Sequence, residues 1–315
     1  MTNSESHITA IDCGYIRPQL AASHLIVDSG RAAFVDTGTT HSLPHLLDGL
    51  ATAGIPTDAV DYVLLTHVHL DHAGGAGALM QHLPNATCVV HPRGARHLID
   101  PTKLIAGSIA VYGAEVFGGL YGEILPIDAD RVRTVDDGER LTLGQRELEF
   151  LHTAGHALHH YCIADPAAAV IFAGDSFGVS YRDFDTVHGE FIFPTTTPVH
   201  FDPQAAHEAI ERLIARAPVA IYLTHYSRVT NLERLANDLH ACIDAFVDLG
   251  RCFADYPDRS SRLEHEMFLY LSHRLDAHGD EHDLATRHAL LDMDVQLNVQ
   301  GLEVWMDRQK EGVRS

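Results

Sequence analysis

Thr66-His67-Val68-His69-Leu70-Asp71-His72 follows directly after the apolar run Tyr62-Val63-Leu64-Leu65. His67 and His69 are two residues apart, so on an extended backbone their side chains point the same way and can hold one metal ion. The aspartate and histidine that close the stretch then turn toward a second ion. Imidazole and carboxylate ligands suit zinc, and also iron or manganese, better than calcium. The alternative is a polar strand end with solvated histidines, but four crowded potential ligands would then carry unmatched polar groups.

Length and charge limit the classes of partner. The chain has 315 residues and a formal net charge of −21, and Lys103 and Lys310 are its only lysines. A phosphate backbone would find no broad basic surface, so we expect no nucleic-acid partner. A small-molecule substrate is the expectation that remains.

The cysteines and the N-terminus bear on location. Five scattered cysteines form no close C-x-x-C pair, which suggests neither a disulfide framework nor a thiolate zinc site and fits a reducing cytoplasm. Residues 1–15 lack a basic segment followed by a long apolar one, and no run of about 18 apolar residues occurs. The sequence therefore predicts a cytoplasmic protein without a membrane partner.

Strand-like and helix-like patterns alternate along the chain. Helical patterns at Leu43–Ala53 and at about Gly75–His82 flank a predicted strand at Val60–Leu65, which favours an α/β layered fold. Glycine-rich residues 93–130 are interpreted as an irregular excursion that lines or covers a site, and residues 177–200 as a second variable segment. Beyond about Arg228 helical periodicity dominates. We predict a catalytic domain over residues 1–228 and an α-helical extension over residues 229–315.

Three further strand ends present metal-competent side chains. His156, Asp175 and His225 each follow a hydrophobic run, and α/β folds place their sites at such strand ends. Taken singly, each has an ordinary alternative, either a strand-capping aspartate or a histidine bonded to backbone. Together with the opening motif, they predict a metal site.

These motifs resemble the metallo-β-lactamase-fold superfamily, and specifically its glyoxalase II-like hydrolase branch. The resemblance rests on His67-x-His69-x-Asp71-His72, Gly155-His156, Gly174-Asp175 and Thr224-His225, and spans about residues 7–228. It implies an αββα sandwich in which two sheets lie face to face, with a binuclear metal centre at one edge.

The resemblance also implies a role for each site residue. The first metal, most simply zinc with iron or manganese as alternatives, would take His67, His69 and His156. The second would take Asp71, His72 and His225, and Asp175 would bridge both. A metal-bridging hydroxide would be the nucleophile, and Asp71 would act catalytically by orienting it. Asp36 and His160 would support the ligands, while His159, which departs from the family pattern, is expected to face solvent.

The reaction predicted from the resemblance is hydrolysis of a carboxylic ester, thioester or lactone. Alternatives are a mononuclear iron enzyme like the persulfide dioxygenases, a β-lactam-hydrolysing or phosphodiesterase member, and a non-catalytic member. Six aromatic residues are candidates for lining the substrate, although core packing would explain each: Tyr112, Phe117, Tyr121, Phe177, Tyr181 and Tyr226. The C-terminal helices, with Trp305, are expected either to cover the site, to pack on their own chain or to form a homodimer.

Overall fold

The computed structural model describes residues 7–196 and 198–312, which divide into two compact units. The first unit contains the described residues up to His152, together with His159–Gly174 and Pro218–Arg228. The second contains Thr153–Leu158, Asp175–Ala217 and the described residues from Val229 onward.

Within residues 7–196 and 198–312, twelve strands form two six-stranded sheets. The strands of the first sheet are β1 (His7–Asp12), β2 (Ala22–Asp28), β3 (Arg31–Val35), β4 (Val60–Leu64), β5 (Thr87–Val90) and β6 (Val132–Thr134), paired in that order. The strands of the second sheet are β7 (Arg140–Leu143), β8 (Arg146–His152), β9 (Tyr161–Asp165), β10 (Val170–Gly174), β11 (Ala220–Leu223) and β12 (Ser227–Val229), also paired in chain order.

Parallel pairing brings the predicted site residues to strand ends. β3, β4 and β5 run parallel, with Val35 opposite Leu64, so that Asp36 and the His67 motif leave the first sheet at the same edge. β10 and β11 are also parallel, and His225 follows two residues after β11.

The core between the sheets shows why these strands are so apolar. Side chains alternate along a strand, so Leu64 packs into the core shared by both sheets, while Val63 and Leu65 pack into the core on the helix side of the first sheet. Tyr161 from the second sheet reaches across this core and donates its hydroxyl hydrogen to the carbonyl of Val89 at 2.8 Å. The predicted layered α/β architecture is confirmed.

The described residues of the first unit form six α-helices. They are α1 (Leu43–Ala53), α2 (Leu70–Ala73), α3 (Ala76–His82), α4 (Ala95–Ile99), α5 (Thr102–Tyr112) and α6 (Ala114–Tyr121). α1 has the predicted bounds and ends at Gly54, whose φ of 67° favours glycine. The second half of the metal motif lies on α2, a helical turn that the sequence prediction did not include.

The prediction of an irregular excursion over residues 93–130 was wrong, because α4, α5 and α6 lie there. Glycine inside a helix costs only about 1 kcal/mol relative to alanine, so Gly107 and Gly118 are tolerated within α5 and α6. Gly113 and Gly122, with φ of 82° and 69°, lie where these two helices end. The glycines lie within these helices or at their ends, and they do not prevent helix formation.

In the part of the second unit that the structure describes, four α-helices contain most of the residues: α7 (Pro203–Ile214), α8 (Leu232–Phe253), α9 (Arg259–His278) and α10 (Leu284–Gly312). α7 begins after Asp202, whose carboxylate accepts a hydrogen bond from the amide of Ala205 at 3.0 Å. Leu302 and Met306 of α10 are buried and lie against Gly250 of α8, so this terminal helix buries its apolar face within its own chain. The predicted helical C-terminal region is confirmed.

Among the described residues, no single helix is long and apolar enough to cross a membrane, although α5 and α6 together pass that test as a sharply bent pair.

A buried ion pair in the first unit leads to a stability prediction. Arg146 of β8 pairs with Asp165 of β9 and with Asp28 of β2, and all three residues are buried. Replacing Arg146 with methionine would leave the Asp165 carboxylate buried without its cation and should lower the free energy of unfolding by about 3–5 kcal/mol. The control is Arg251→Met, since Arg251 and its partner Asp248 are both exposed, and here we expect a loss below about 1 kcal/mol. Equal urea-unfolding midpoints for the two variants would contradict the prediction.

Candidate metal centre

The first two histidines of the motif converge through different ring nitrogens. His67 Nε2 lies 2.9 Å from His69 Nδ1, and His67 is fully buried. The Nδ1 atom of His67 lies 3.1 Å from the hydroxyl oxygen of Thr66, whose own hydrogen points to Asp36 at 2.8 Å. Because Thr66 therefore accepts the Nδ1 hydrogen of His67, the Nε2 lone pair is left to bind a metal.

The second half of the motif joins a residue from the other sheet. Asp71 and His72 meet His225, with ligand atoms that all lie within 4.8 Å of one another. His225 Nε2 is 3.3 Å from the carboxylate of Asp71, and His72 Nε2 is 3.7 Å from the same oxygen. This group of two imidazoles and one carboxylate suits a divalent transition metal.

Both histidines of this group are held by their other ring nitrogen. His72 donates from Nδ1 to the Asp36 carboxylate at 2.9 Å, and His225 donates from Nδ1 to the backbone carbonyl of Leu20 at 2.7 Å. Hydrogen bonds of this kind select the tautomer and orient the ring of a metal-binding histidine. Each Nε2 therefore presents its lone pair toward Asp71, and the donor set fits a metal ion.

Asp36 anchors this side of the site. Its side chain is fully buried and accepts hydrogen bonds from the amide and hydroxyl of Thr66, from the Thr224 hydroxyl at 2.8 Å and from His72. Its φ of 57° lies in the left-handed region, which aspartate tolerates better than most residues. Sequence reasoning named Asp36 but assigned no role to Thr66 or Thr224, whose contacts with it join segments that are distant in the chain.

His160 and His159 lie beside the first pair of histidines. The ring centroid of buried His160 is 4.9 Å from that of His67, and a Cβ at Gly174 would lie 2.7 Å from His160 Nε2. His159 was expected to face solvent, but it is only partly exposed, with ring centroids 6.1 Å from His67 and 5.5 Å from His69. That expectation was wrong, since the tight turn before β9 brings both histidines to the motif.

The remaining two predicted ligands belong to the second unit. His156 Nε2 lies 3.5 Å from the Asp175 carboxylate, and both residues are buried. His156 Nδ1 lies 3.3 Å from the backbone carbonyl of Thr195, which again directs Nε2 away from the backbone. The pair offers one imidazole and one carboxylate. A backbone carbonyl orients the His156 ring, as the Leu20 carbonyl orients the His225 ring.

Buried titratable groups near Asp36 stay uncharged. Burial lowers the pKa of His24 to about 4, although the neighbouring Asp36 carboxylate opposes that shift. Burial raises the pKa of the Cys13 thiol to about 12. At neutral pH neither group adds charge beside the predicted metal ligands.

The predicted substrate-lining aromatic residues are mostly packed. Phe117, Tyr121 and Phe177 are buried, and the hydroxyl of buried Tyr181 donates to Asp294 at 3.0 Å. Tyr226 is half-buried. Tyr112 is the last residue of α5, and its side chain lies outside the part of the chain that the structure describes. A substrate contact for these residues stays a prediction.

The sequence around these residues matches the model of a known protein family. The model of the metallo-beta-lactamase superfamily matches residues 16–225, which is more than half of the chain. The matched range includes the first and the last predicted ligands, His67 and His225. The chain belongs to the metallo-beta-lactamase superfamily. The resemblance predicted from the histidine motif is therefore confirmed.

Three relatives in this superfamily show its range. The chain is 25% identical over 216 residues to a metallo-beta-lactamase fold-containing protein, ST1585, of Sulfurisphaera tokodaii, covering 66% of this chain and 73% of that one. It is 27% identical over 211 residues to a hydroxyacylglutathione hydrolase of Aeromonas hydrophila, covering 66% of this chain and 62% of that one. It is 27% identical over 161 residues to the acyl-coenzyme A thioesterase MBLAC2 of Gallus gallus, covering 48% of this chain and 55% of that one. The match thus spans less than two thirds of the length of the two hydrolytic relatives.

A solved structure supports the fold over nearly the whole chain. The crystal structure of ST1585 from Sulfolobus tokodaii superposes with a TM-score of 0.66 at 21% identity, covering 94% of this chain and 97% of that one. This likeness confirms the predicted metallo-β-lactamase fold with C-terminal helices. Relatives with hydrolase and thioesterase names are enzymes. The prediction that this chain is an enzyme of the superfamily is confirmed.

Proposed function

We propose that this superfamily member is a binuclear metal-dependent hydrolase that cleaves a carboxylic ester or thioester of a small molecule. One observation carries the proposal. The Nε2 atoms of His72 and His225 converge on the Asp71 carboxylate, while Asp36 and the Leu20 carbonyl hold the opposite ring nitrogens. A histidine kept in one tautomer by a buried partner is preorganised for a metal, whereas a histidine at an ordinary polar surface has no such constraint.

The proposed ligand assignment follows the family motif. His67, His69 and His156 would hold one divalent ion, Asp71, His72 and His225 would hold the other, and Asp175 would bridge them. Zinc suits this nitrogen-rich set, and iron or manganese would also fit it. When bound, two such ions would lower the pKa of the attacking water, so that it reacts as hydroxide at neutral pH, and would polarise the substrate carbonyl.

The residues of the chain have separate tasks in this proposal. Asp71 is partly exposed, so its carboxylate can accept a hydrogen bond from the attacking water and hold the proton as the carbonyl carbon is attacked. The ring of His72 stays in one position, because it is fully buried and hydrogen-bonded to Asp36. In this proposal Asp71 transfers the proton, and the histidines hold fixed positions.

Ester or thioester hydrolysis is favoured over the other reactions of this fold. Asp175 supplies a carboxylate for bridging two ions, and hydrolytic relatives act on thioesters according to their names. A net charge of −21 disfavours a polyanionic nucleic-acid substrate.

Metal removal tests the proposal directly. Dialysis against a chelator should lower the hydrolysis of thioesters and esters by about 10³-fold, because metal ions contribute several kcal/mol to such barriers. Adding back Zn, Mn or Fe should restore it, and metal analysis should find two ions per chain. The panel includes lactones, phosphodiesters and β-lactams. Activity confined to phosphodiesters, or one iron per chain with oxygen uptake, would overturn the proposal.

A further inference from the structure

A cavity lies within the second unit, and His156 and Asp175 form part of its wall. Its empty volume is about 330 Å³, including the part that is open to solvent. The opposite wall comes from Ala209 and Ile210 of α7 and from Leu239 and Ile243 of α8. The predicted ligands therefore adjoin an apolar chamber.

The chemistry of the cavity wall is almost entirely uncharged. Among the described residues that line it, the only titratable side chains are those of the two predicted ligands. Ser176 also lines it, but its hydroxyl donates to Thr153 at 3.0 Å. A bound group would meet mainly methyl and methylene surface away from His156 and Asp175, and burying an uncharged aliphatic group there is favourable.

The wall is closely packed and formed from regular elements. Leu239 and Ile243 are one helical turn apart and are fully buried, so α8 presents both to the cavity. At Gly178, which has a φ of 73°, a Cβ would lie 2.6 Å from Leu239 and from the carbonyl of Phe193. Leu239 therefore has little space in which to shift toward Gly178.

We propose that this cavity binds the acyl group of the substrate, and that it selects short, uncharged, aliphatic acyl chains. The inference rests on the proposed hydrolase function. In the reaction, a water oxygen bonds to the acyl carbonyl carbon, the bond from that carbon to sulfur or oxygen breaks, and a carboxylic acid and a thiol or alcohol leave. The acyl chain is the part that enters the cavity beside His156 and Asp175.

Variants that change the depth of the cavity test this assignment. With metal-loaded enzyme, kcat/KM is measured for thioesters from acetyl to decanoyl that share one leaving group. Ile210→Ala should shift the preferred chain by two or three carbons and raise kcat/KM for the longer acyl group about 10-fold relative to acetyl. Ala209→Leu should lower kcat/KM for longer chains about 10-fold relative to acetyl.

Leu213→Ala is the matched control. Leu213 is buried on the same helix, and it does not line the cavity. This variant should lose stability as Ile210→Ala does but keep the wild-type chain-length profile. Thermal melting and metal content confirm that each variant is folded and loaded.

The possible failures are distinguishable. An unchanged profile in both Ile210→Ala and Ala209→Leu, with hydrolysis retained, would overturn the acyl-cavity assignment alone. A profile that shifts equally in Leu213→Ala would do the same, because general loosening would then explain it. Absence of ester and thioester hydrolysis in the metal-loaded wild type would overturn the proposed function and the assignment together.

Discussion

Asp36→Ala is expected to lower the free energy of unfolding by about 3–5 kcal/mol and to reduce the amount of metal bound near Asp71. The carboxylate is fully buried and accepts hydrogen bonds from Thr66, Thr224 and His72. Its removal leaves these donors buried without a partner, and breaking a buried charged network costs about that much. Urea unfolding and metal analysis measure both effects.

Two variants control the Asp36 experiment. Asp48→Ala removes a carboxylate from the exposed face of α1 and should change stability by no more than about 0.5 kcal/mol. Asp36→Asn keeps the shape but places an amide beside several donors, so it should recover only part of the stability and of the metal content. Wild-type melting and full metal occupancy in Asp36→Ala would refute the anchoring role.

Asp71→Asn is expected to lower kcat about 10²–10⁴-fold while the fold stays intact. Asparagine keeps an oxygen near His72 and His225 but cannot hold a proton as a carboxylate does, and proton transfer by a positioned group contributes about that factor. Because Asp71 is partly exposed, its change should cost little stability. Steady-state kinetics, the unfolding midpoint and metal content separate these effects.

The control for Asp71 is Asp130→Ala, another exposed aspartate of the first unit. It should leave kcat, melting and metal content unchanged. If Asp71→Asn retained wild-type kcat with full metal occupancy, another group would have to orient the attacking water. If Asp71→Asn lost activity only in proportion to the metal that it lost, Asp71 would act only as a metal ligand.

Local sequence signals predicted much of the fold and of the ligand series. α1 has the predicted bounds, and the His67 motif follows β4 as expected, since strand and helix periodicities are local properties. The helices between Ala95 and Tyr121 were missed because their glycines were interpreted as loop signals. Gly107 and Gly118 show that a glycine alone does not exclude a helix when packing favours it.

The supporting contacts of the site could not be predicted in the same way. Thr224 reaches Asp36 from 188 residues away in the sequence, and His225 bonds the carbonyl of Leu20 across 205 residues. A threonine beside a ligand carries no local sign of its partner, and a backbone carbonyl carries none at all. Such partners are selected when strands from two sheets come together.

The sequence by itself determined which side chains are available for metal binding and their order along the chain, because ligand types at the ends of apolar strands are a local and chemically specific pattern. Only the tertiary structure decided which ring nitrogen of each histidine faces a metal, since that choice depends on Thr66, Asp36 and Leu20. The tertiary structure also decided which wall adjoins His156 and Asp175. Aliphatic residues such as Ile210 and Ile243 look alike in any helix, and only their packing places them around a cavity.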